Sequence, residues 1–127
     1  MTISKAMFTR TVDCSATVSL VDQGSLYSTG HLSIYNSDMT LISWNALSLP
    51  AFATPTDASA VLNNVSDATA LVDATASNFA FENRDGTAVW TGNVTVSGGG
   101  GSLQLEQISI PKDTTVAIAS GIYIVPA

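Results

Sequence analysis

The sequence predicts a mainly β protein, a single-domain antiparallel β-sandwich or rolled sheet over residues 1–127 that leaves room for one N-terminal helix. From residue 31 onward, stretches of alternating apolar and polar residues are separated by turn-forming residues at intervals of about ten residues, which is typical of small all-β folds. A chain of 127 residues is long enough to bury a core without a metal or a disulfide, and 46% of its residues are apolar. We therefore expect an N-terminal segment, 1–30, followed by a β core, 31–127.

The N-terminal segment is compatible with two structures. Ser4 and Gly24 are suited to begin and end a helix, and five side chains between them fall at helical spacing. These are Met7, Thr11, Cys14, Val18 and Val21. Alternation from Val12 to Leu20 and the content of Thr, Val and Ser are also typical of a strand. We expect a helix over 4–23, with a strand as the alternative.

The β core is predicted as a series of strands and turns. The strands fall at 31–36, 40–49, 77–83, 87–97, 103–110 and 115–125, with a weak one at the start of 60–74. Phe79 and Phe81 share one face of their strand because side chains alternate between faces. Residues 84–87 are expected to close a tight Asp-Gly hairpin with positive φ at both central residues, and residues 111–113 to form another turn.

Four consecutive glycines, Gly98, Gly99, Gly100 and Gly101, form the most unusual local feature. A phosphate-binding loop requires glycines between a strand and the start of a helix. Here strand-like stretches lie on both sides, so we expect a hairpin connection between two strands. A mobile loop, or a loop that contacts a partner, is the alternative.

The sequence predicts no catalytic, cofactor-binding or metal-binding residues. His31 is the one histidine, no G-x-S-x-G motif accompanies it, and we expect it at the surface or at an edge because it follows Gly30 at a strand entrance. The lone Cys14 is expected to be a small buried residue, and one His with one Cys falls short of a zinc site. The carboxylates are dispersed, and nothing selects a glycosidase pair. We therefore expect a protein that is not an enzyme and needs no cofactor.

The charge balance argues against several classes of partner. The net charge is −6, and the four basic residues, Lys5, Arg10, Arg84 and Lys112, are scattered. They form no stripe that neutralises phosphates, so we expect no nucleic-acid binding and no membrane binding. The N-terminus lacks the apolar segment of a signal peptide, which predicts synthesis in a cytoplasm. Only 11% of the residues are charged, which favours a surface buried against other subunits, as in a homo-oligomer.

Trp44 and Trp90 are the large side chains best suited to carry packing or binding energy. Either can belong to the core or anchor an interface, where Trp is over-represented. Trp44 also lies in a stretch, 40–49, that is apolar on both faces, which favours a place between layers or at an interface. We take Trp44, Trp90 and the glycines 98–101 as candidate interface residues. Trp and Tyr side chains on a shared β face would also suit the stacking of a sugar ring.

Residues 76–127, ASNFAFENRDGTAVWTGNVTVSGGGGSLQLEQISIPKDTTVAIASGIYIVPA, resemble a family of small structural proteins encoded by tailed bacteriophages. The shared features are an aromatic strand, the DGTAVWTG stretch, a glycine-rich hinge, an L-x-L strand and a final strand closing near VPA. An L-x-I-Y strand at 32–35 and LSLPAF at 47–52 extend the likeness upstream. The N-terminal segment departs from it, because that family tends to be Ala/Leu-rich and plainly helical there.

The resemblance implies a virion component without enzymatic activity. Small acidic β-rich virion proteins often decorate or cement the capsid surface, commonly as homotrimers, so the implied partners are further copies of the chain and the major capsid protein. Such a protein would be synthesised in the host cytoplasm and end up in the virion. A tail or fibre component is one alternative, and a carbohydrate-binding β-domain that uses Trp44, Trp90 or Tyr residues is another.

Overall fold

A computed structural model describes residues 18–54, 59–96, 98–99, 103–105, 107–118 and 122–124 of the chain. Most of the regular structure in these residues is β. The strands are β1 (His31–Tyr35), β2 (Leu41–Ala46), β3 (Ser59–Val61), β4 (Ala68–Thr69), β5 (Ala74–Thr75), β6 (Asn78–Glu82), β7 (Ala88–Val96), β8 (Leu103–Leu105), β9 (Ser109–Ile110), β10 (Thr115–Val116) and β11 (Ile122–Ile124). The prediction of a mainly β fold is confirmed.

The main sheet has the strand order β2-β1-β6-β7-β8. Its first four strands are antiparallel to their neighbours. One face buries Leu32 and Ile34 of β1, which lie opposite Phe81 and Phe79 of β6. The predicted shared face of the two phenylalanines is therefore confirmed, and this face of the sheet is the core face.

Short strand pairs form the remainder of the fold. β3 pairs with β11, β4 with β10 and β5 with β9, each in antiparallel orientation. Ala60, Ile110 and Val116 from these pairs belong to the same buried cluster as Leu32 of the main sheet. The short pairs therefore share one core with the main sheet, in a small sandwich or rolled sheet as the sequence predicts.

Two predicted strands are divided in the structure. The stretch 103–110 contains β8 and β9, and the stretch 115–125 contains β10 and β11. In the first stretch, β8 pairs with β7 and β9 pairs with β5. In the second, β10 pairs with β4 and β11 pairs with β3. The chain leaves one pairing for another within each stretch, which the alternation of apolar residues does not reveal.

The N-terminal segment contains a helical turn. Residues 18–20 are helical, and the N–H of Val21 donates to the carbonyl of Val18 at 3.2 Å. Both valines are buried in the core cluster, as residues three apart on one helical face can be. Gly24 follows with φ of +118°, so the predicted glycine after the helix end is confirmed. Residues 4–17 of the predicted helix lie outside the described residues.

The β6–β7 hairpin differs from its prediction at one residue. Gly86 has φ of +81°, but Asp85 is not among the residues with positive φ. The cause is the side chain of Asn83, whose Oδ1 accepts hydrogen bonds from the backbone nitrogens of Asp85 at 2.9 Å and Thr87 at 3.0 Å. The result is a three-residue loop between Asn83 and Thr87 in which glycine alone takes the left-handed conformation.

Asp85 instead holds the preceding segment to this hairpin. Its Oδ1 accepts hydrogen bonds from the backbone nitrogens of Ser25 at 2.9 Å and Leu26 at 3.1 Å.

We expect Asp85→Ala to lower the free energy of unfolding by about 1–2 kcal/mol, measured by urea unfolding. Asp38→Ala is the matched control, because Asp38 is an exposed turn residue whose carboxylate accepts no hydrogen bond from the described residues. Its effect should stay within about 0.5 kcal/mol, and equal losses for the two variants would contradict this account of the hairpin.

The glycine run does not connect the two strands of a hairpin. β8 pairs with β7 in parallel, with Val94 opposite Leu103, so the predicted hairpin connection is wrong. Parallel neighbours usually need a crossover of about a dozen residues or more, whereas only residues 97–102 separate these two strands. The chain therefore has to reverse within a very short distance.

Glycine makes this reversal possible at the two positions of the run that the structure describes. Gly98 has φ of +86°, and the N–H of Gly99 donates to the carbonyl of Val96 at 2.9 Å. A Cβ on Gly99 would lie 2.8 Å from the Cβ of Thr95, so the loop lies directly against β7. Residues 100–101 lie outside the described residues.

Candidate functional site

The face of the main sheet opposite the core carries four side chains that contact one another, Tyr27, His31, Trp44 and Glu82, which we call the aromatic cluster. His31 of β1 lies directly opposite Glu82 of β6 in the strand register. Trp44 of β2 lies opposite Ser33, two residues along β1 from His31. Because side chains two apart on a strand point to the same face, the register itself places three members of the cluster together.

The rings and the carboxylate of the cluster are bound to one another. The imidazole of His31 stacks on the indole of Trp44 with ring centroids 3.6 Å apart and an interplanar angle of 8°. Tyr27 meets both rings edge-on, at 5.4 Å from His31 and 5.1 Å from Trp44. The indole Nε1–H donates to Oε1 of Glu82 at 2.8 Å, and the hydroxyl of Tyr35 donates to Oε2 at 3.4 Å. These contacts hold the segment that contains Tyr27 against the sheet.

The β6–β7 hairpin places Tyr27 over the sheet. The N–H of Tyr27 donates to the carbonyl of Arg84 at 2.8 Å, and Nε of Arg84 donates to the carbonyl of Tyr27 at 2.9 Å. A Cβ on Gly86 would lie 3.7 Å from the Tyr27 ring, so the ring passes close to the hairpin. These contacts join residues 57 positions apart, and for that reason the sequence carries no local signal for them.

His31 is buried, and the prediction of a surface or edge position is wrong. β1 lies between β2 and β6, and the rings of Trp44 and Tyr27 contact the imidazole, so the residue is only 8% exposed. Its Nδ1 is buried without a hydrogen-bond partner. Burial lowers the pKa of His31 below its ordinary value of 6.5, and the negative charge of Glu82 raises it in part. His31 is therefore mainly neutral at pH 7.

Ser33 and His31 lie on the same face of β1 but are not hydrogen-bonded to each other. The Oγ of Ser33 is buried without a hydrogen-bond partner, as is Nδ1 of His31, so no hydrogen bond joins this hydroxyl to the imidazole. The carboxylate of Glu82 is bonded to Trp44 and Tyr35. A nucleophilic hydroxyl requires a base within hydrogen-bond reach and a third group that orients the base, and this arrangement has neither contact.

Trp90 lies on the opposite face of the sheet from Trp44. It is opposite Phe81 in the register, and the two rings stack with centroids 4.6 Å apart. The ring of Phe52 also contacts it, with ring centroids 5.7 Å apart. Trp90 is partly buried and packs against the core cluster, so of the two predicted alternatives the core is the one observed for it. The two tryptophans therefore do not form one platform on which a sugar could stack.

The structure does not bring the predicted interface residues together. Trp44 lies on the outer face of the sheet and Trp90 on the core face, while Gly98 and Gly99 are exposed just beyond the end of β7. The sequence also did not single out a set of exposed apolar side chains. These are Leu20, Leu26, Tyr27, Met39, Leu49, Val61, Leu71 and Val96.

The exposed apolar side chains include members at both ends of the main sheet. Leu26, which is 67% exposed, lies beside the β6–β7 hairpin, to which Asp85 binds its backbone. Met39, which is 61% exposed, lies at the opposite end, in the turn between β1 and β2. Val96 ends β7 at that same end. Single exposed apolar residues are common on soluble proteins, but here they stand on a surface with few charges.

In the part of the chain that the structure describes, no group of three or more His, Cys, Asp or Glu side chains could hold a metal ion. No helix among the described residues is long and apolar enough to cross a membrane. Comparison with protein families, with curated protein sequences and with solved structures found nothing that matches this chain.

Proposed function

We propose that this chain is a non-enzymatic structural protein of a bacteriophage virion, most specifically a decoration or cement protein on the capsid surface. The observations that support this most are that only 11% of all residues are charged and that apolar side chains are exposed at both ends of the main sheet. A surface of this kind suits burial against other subunits. The likeness of residues 76–127 to tailed-phage structural proteins supports the same function.

The chain would stabilise a shell by covering the seams between neighbouring shell subunits. Exposed side chains such as Leu26 and Met39 gain about 25 cal/mol for each Å² of apolar surface that they remove from water, so any one contact is weak. Copies that associate as a homo-oligomer, such as a trimer, would bind through several such contacts at once, and the effective concentration raises the avidity. The net charge of −6 would keep the outward surface soluble.

The absence of a catalytic role is part of the proposal. Within the aromatic cluster, Glu82 and Trp44 are hydrogen-bonded to each other, and the Nδ1 of His31 is buried without a partner. The neighbouring hydroxyl of Ser33 is also buried without a hydrogen bond to a base. What the cluster does is hold the segment of Tyr27 against the sheet. It is therefore a structural element that shapes the end of the molecule where Leu26 is exposed.

An add-back experiment with purified protein tests the proposed attachment. Phage particles that lack this chain are expected to release their DNA at a lower temperature than complete particles, and the purified wild-type chain should restore the higher release temperature. A chain with Leu26→Ser and Met39→Ser should fold within about 0.5 kcal/mol of the wild type, because both residues are exposed, but restore the release temperature less. Ser37→Ala, an exposed change in the same turn as Met39, is the matched control and should restore it fully.

Two results would contradict the decoration proposal. The first is an unchanged release temperature in particles that lack the chain. The second is that the wild-type chain shows no detectable binding to the shell. Full restoration by the double variant would contradict the role of Leu26 and Met39 in the attachment. A chain that binds tails and not shells would instead support the tail or fibre alternative.

A further inference from the structure

His31 occupies an unusual position for a histidine. It is 8% exposed, it lies in an internal strand of the main sheet, and its Nδ1 has no hydrogen-bond partner. Its ring stacks on Trp44 at 3.6 Å and meets the edge of Tyr27. In the neutral imidazole the cost of this position is one unpaired nitrogen. In the imidazolium, both nitrogens carry protons and need acceptors, and the buried Nδ1 has none.

The groups that face His31 determine what a proton would do there. Glu82 on β6 is directly opposite His31, but its Oε1 already accepts from Trp44 and its Oε2 from Tyr35. Tyr27 is the titratable group on the segment above the ring, and Arg84 binds the carbonyl of Tyr27 and not the imidazole. Glu82 is thus the carboxylate that faces a protonated His31 across the β1–β6 pair.

We propose that the aromatic cluster is an acid-responsive latch, in which a proton taken up from solvent by His31 draws Glu82 away from Trp44 and releases segment 25–29 from the sheet. The indole N–H then loses its carboxylate acceptor, and the stack of His31 on Trp44 opens. Tyr27 loses both of its ring contacts at the same time. The released segment contains Leu26, so acid would change the end of the molecule where that apolar side chain is exposed. The latch belongs to the isolated chain and does not depend on attachment to a shell.

The sign of the pH dependence follows from the burial of the imidazole. The pKa of His31 in the folded chain lies below the ordinary value of 6.5 because burial disfavours its charged form. The unfolded chain therefore binds the proton more readily than the folded chain. The contribution of the neutral stacked histidine to the free energy of unfolding is fully present above pH 6.5. This contribution is lost as the pH falls through the pKa of His31 in the folded chain. Stacking of the cation on Trp44 offsets part of this loss but leaves the buried Nδ1–H without an acceptor.

A proton NMR titration of the whole chain from about pH 8 to about pH 5 tests the latch. The chain has one histidine and two tryptophans, so the imidazole signal is unambiguous, and Trp90→Phe identifies the indole signal of Trp44. The imidazole signal should shift with a midpoint below 6.5, and the Trp44 indole N–H signal should shift with the same midpoint. Exchange of the Tyr27 amide proton, which is bonded to the Arg84 carbonyl, should accelerate about tenfold across that range beyond the intrinsic change with pH.

Two variants separate the latch from general acid effects. His31→Gln should abolish the shift of the Trp44 signal and the acceleration at Tyr27. Glu82→Gln keeps an acceptor for the indole but removes the carboxylate, so the midpoint of the imidazole should fall further, because Glu82 raises it in the wild type. The latch is overturned if the Trp44 signal shifts with the same midpoint in His31→Gln, or if His31 titrates in the wild type while the Trp44 and Tyr27 signals stay unchanged. A rise in the midpoint of the imidazole titration in Glu82→Gln would also overturn the latch. If His31→Gln does not fold, the wild type and Glu82→Gln together still test the latch.

Discussion

Replacing Asn45 with alanine is expected to lower the free energy of unfolding by about 3–4 kcal/mol. Asn45 is fully buried. Its Nδ2 donates to the carbonyls of Ser66 at 3.0 Å and Val116 at 2.9 Å, and its Oδ1 accepts from the hydroxyl of Ser43 at 3.0 Å. Alanine would remove the partner of all three groups, and each buried polar group without a partner costs about 1 kcal/mol or more.

The loss should be large because Asn45 joins three parts of the fold. It lies on β2 of the main sheet, and its two acceptors belong to β10 and to the segment that precedes β4. Asn45→Asp has almost the same shape but replaces the two N–H donors with an oxygen, so it should destabilise the chain at least as much at pH 7. Asn64→Ala, at an exposed position, is the control and should stay within about 0.5 kcal/mol. Urea unfolding, monitored by tryptophan fluorescence, measures the free energy of unfolding of all three variants. A loss below about 1 kcal/mol for Asn45→Ala would contradict the three buried hydrogen bonds of Asn45.

The second large effect is expected for Gly30→Ala, which should cost about 3 kcal/mol. A Cβ at Gly30 would lie 2.6 Å from the carbonyl oxygen of Glu82 and 2.7 Å from that of Val21. Both neighbours are backbone atoms of packed residues, because Glu82 belongs to β6 and Val21 is fully buried, so neither can easily move aside. The carbonyl of Gly30 also accepts from the N–H of Leu47 at 3.0 Å, which fixes the glycine between β1 and the end of β2.

Gly86→Ala is the matched control for Gly30→Ala. The nearest atom to a Cβ at Gly86 is a ring carbon of Tyr27 at 3.7 Å, which is ordinary contact. The cost there comes only from the φ of +81° and should be about 1 kcal/mol. Thermal unfolding followed by circular dichroism compares the two variants. If Gly30→Ala were no less stable than Gly86→Ala, the close backbone approach at Gly30 would be wrong.

The parts of the fold that depend on short-range patterns could be predicted from the sequence. Phe79 and Phe81 are two residues apart, and the period of two placed them on one buried face. The predicted turn at 111–113 forms, with the hydroxyl and N–H of Thr114 both bonded to the carbonyl of Pro111 and Asp113 in the left-handed region. Gly24 takes positive φ after the helical turn, as its place in the sequence predicted.

The parts that depend on contacts between distant residues could not be predicted. A glycine run between two strands serves either a hairpin or a short parallel return, and only the pairing of Val94 with Leu103 decides between them. His31 becomes buried because β1 acquires a neighbour on each side and rings from β2 and segment 25–29 close over it. The strand entrance at Gly30 carries no information on either event.

Only part of the candidate site could be predicted, because its contacts also join residues that are distant in the sequence. Trp44 and Trp90 are large and scarce, so the sequence singled them out, but their contacts arise from the register of β1, β2, β6 and β7. Glu82 follows Phe81 on β6, and alternation places it on the outer face, so its face was within reach of the sequence. Its bond to the indole of Trp44 spans 38 positions and was not.

The proposed function is tested most directly by the number of copies of this chain in a purified particle. The measurement is quantitative mass spectrometry of particles that contain the chain, with the major shell protein as the internal reference. A decoration protein should be present in hundreds of copies, in a fixed ratio to the shell protein, because every equivalent seam of the shell offers a site. A handful of copies at one vertex or in the tail, or no copies in the particle, would contradict the proposal.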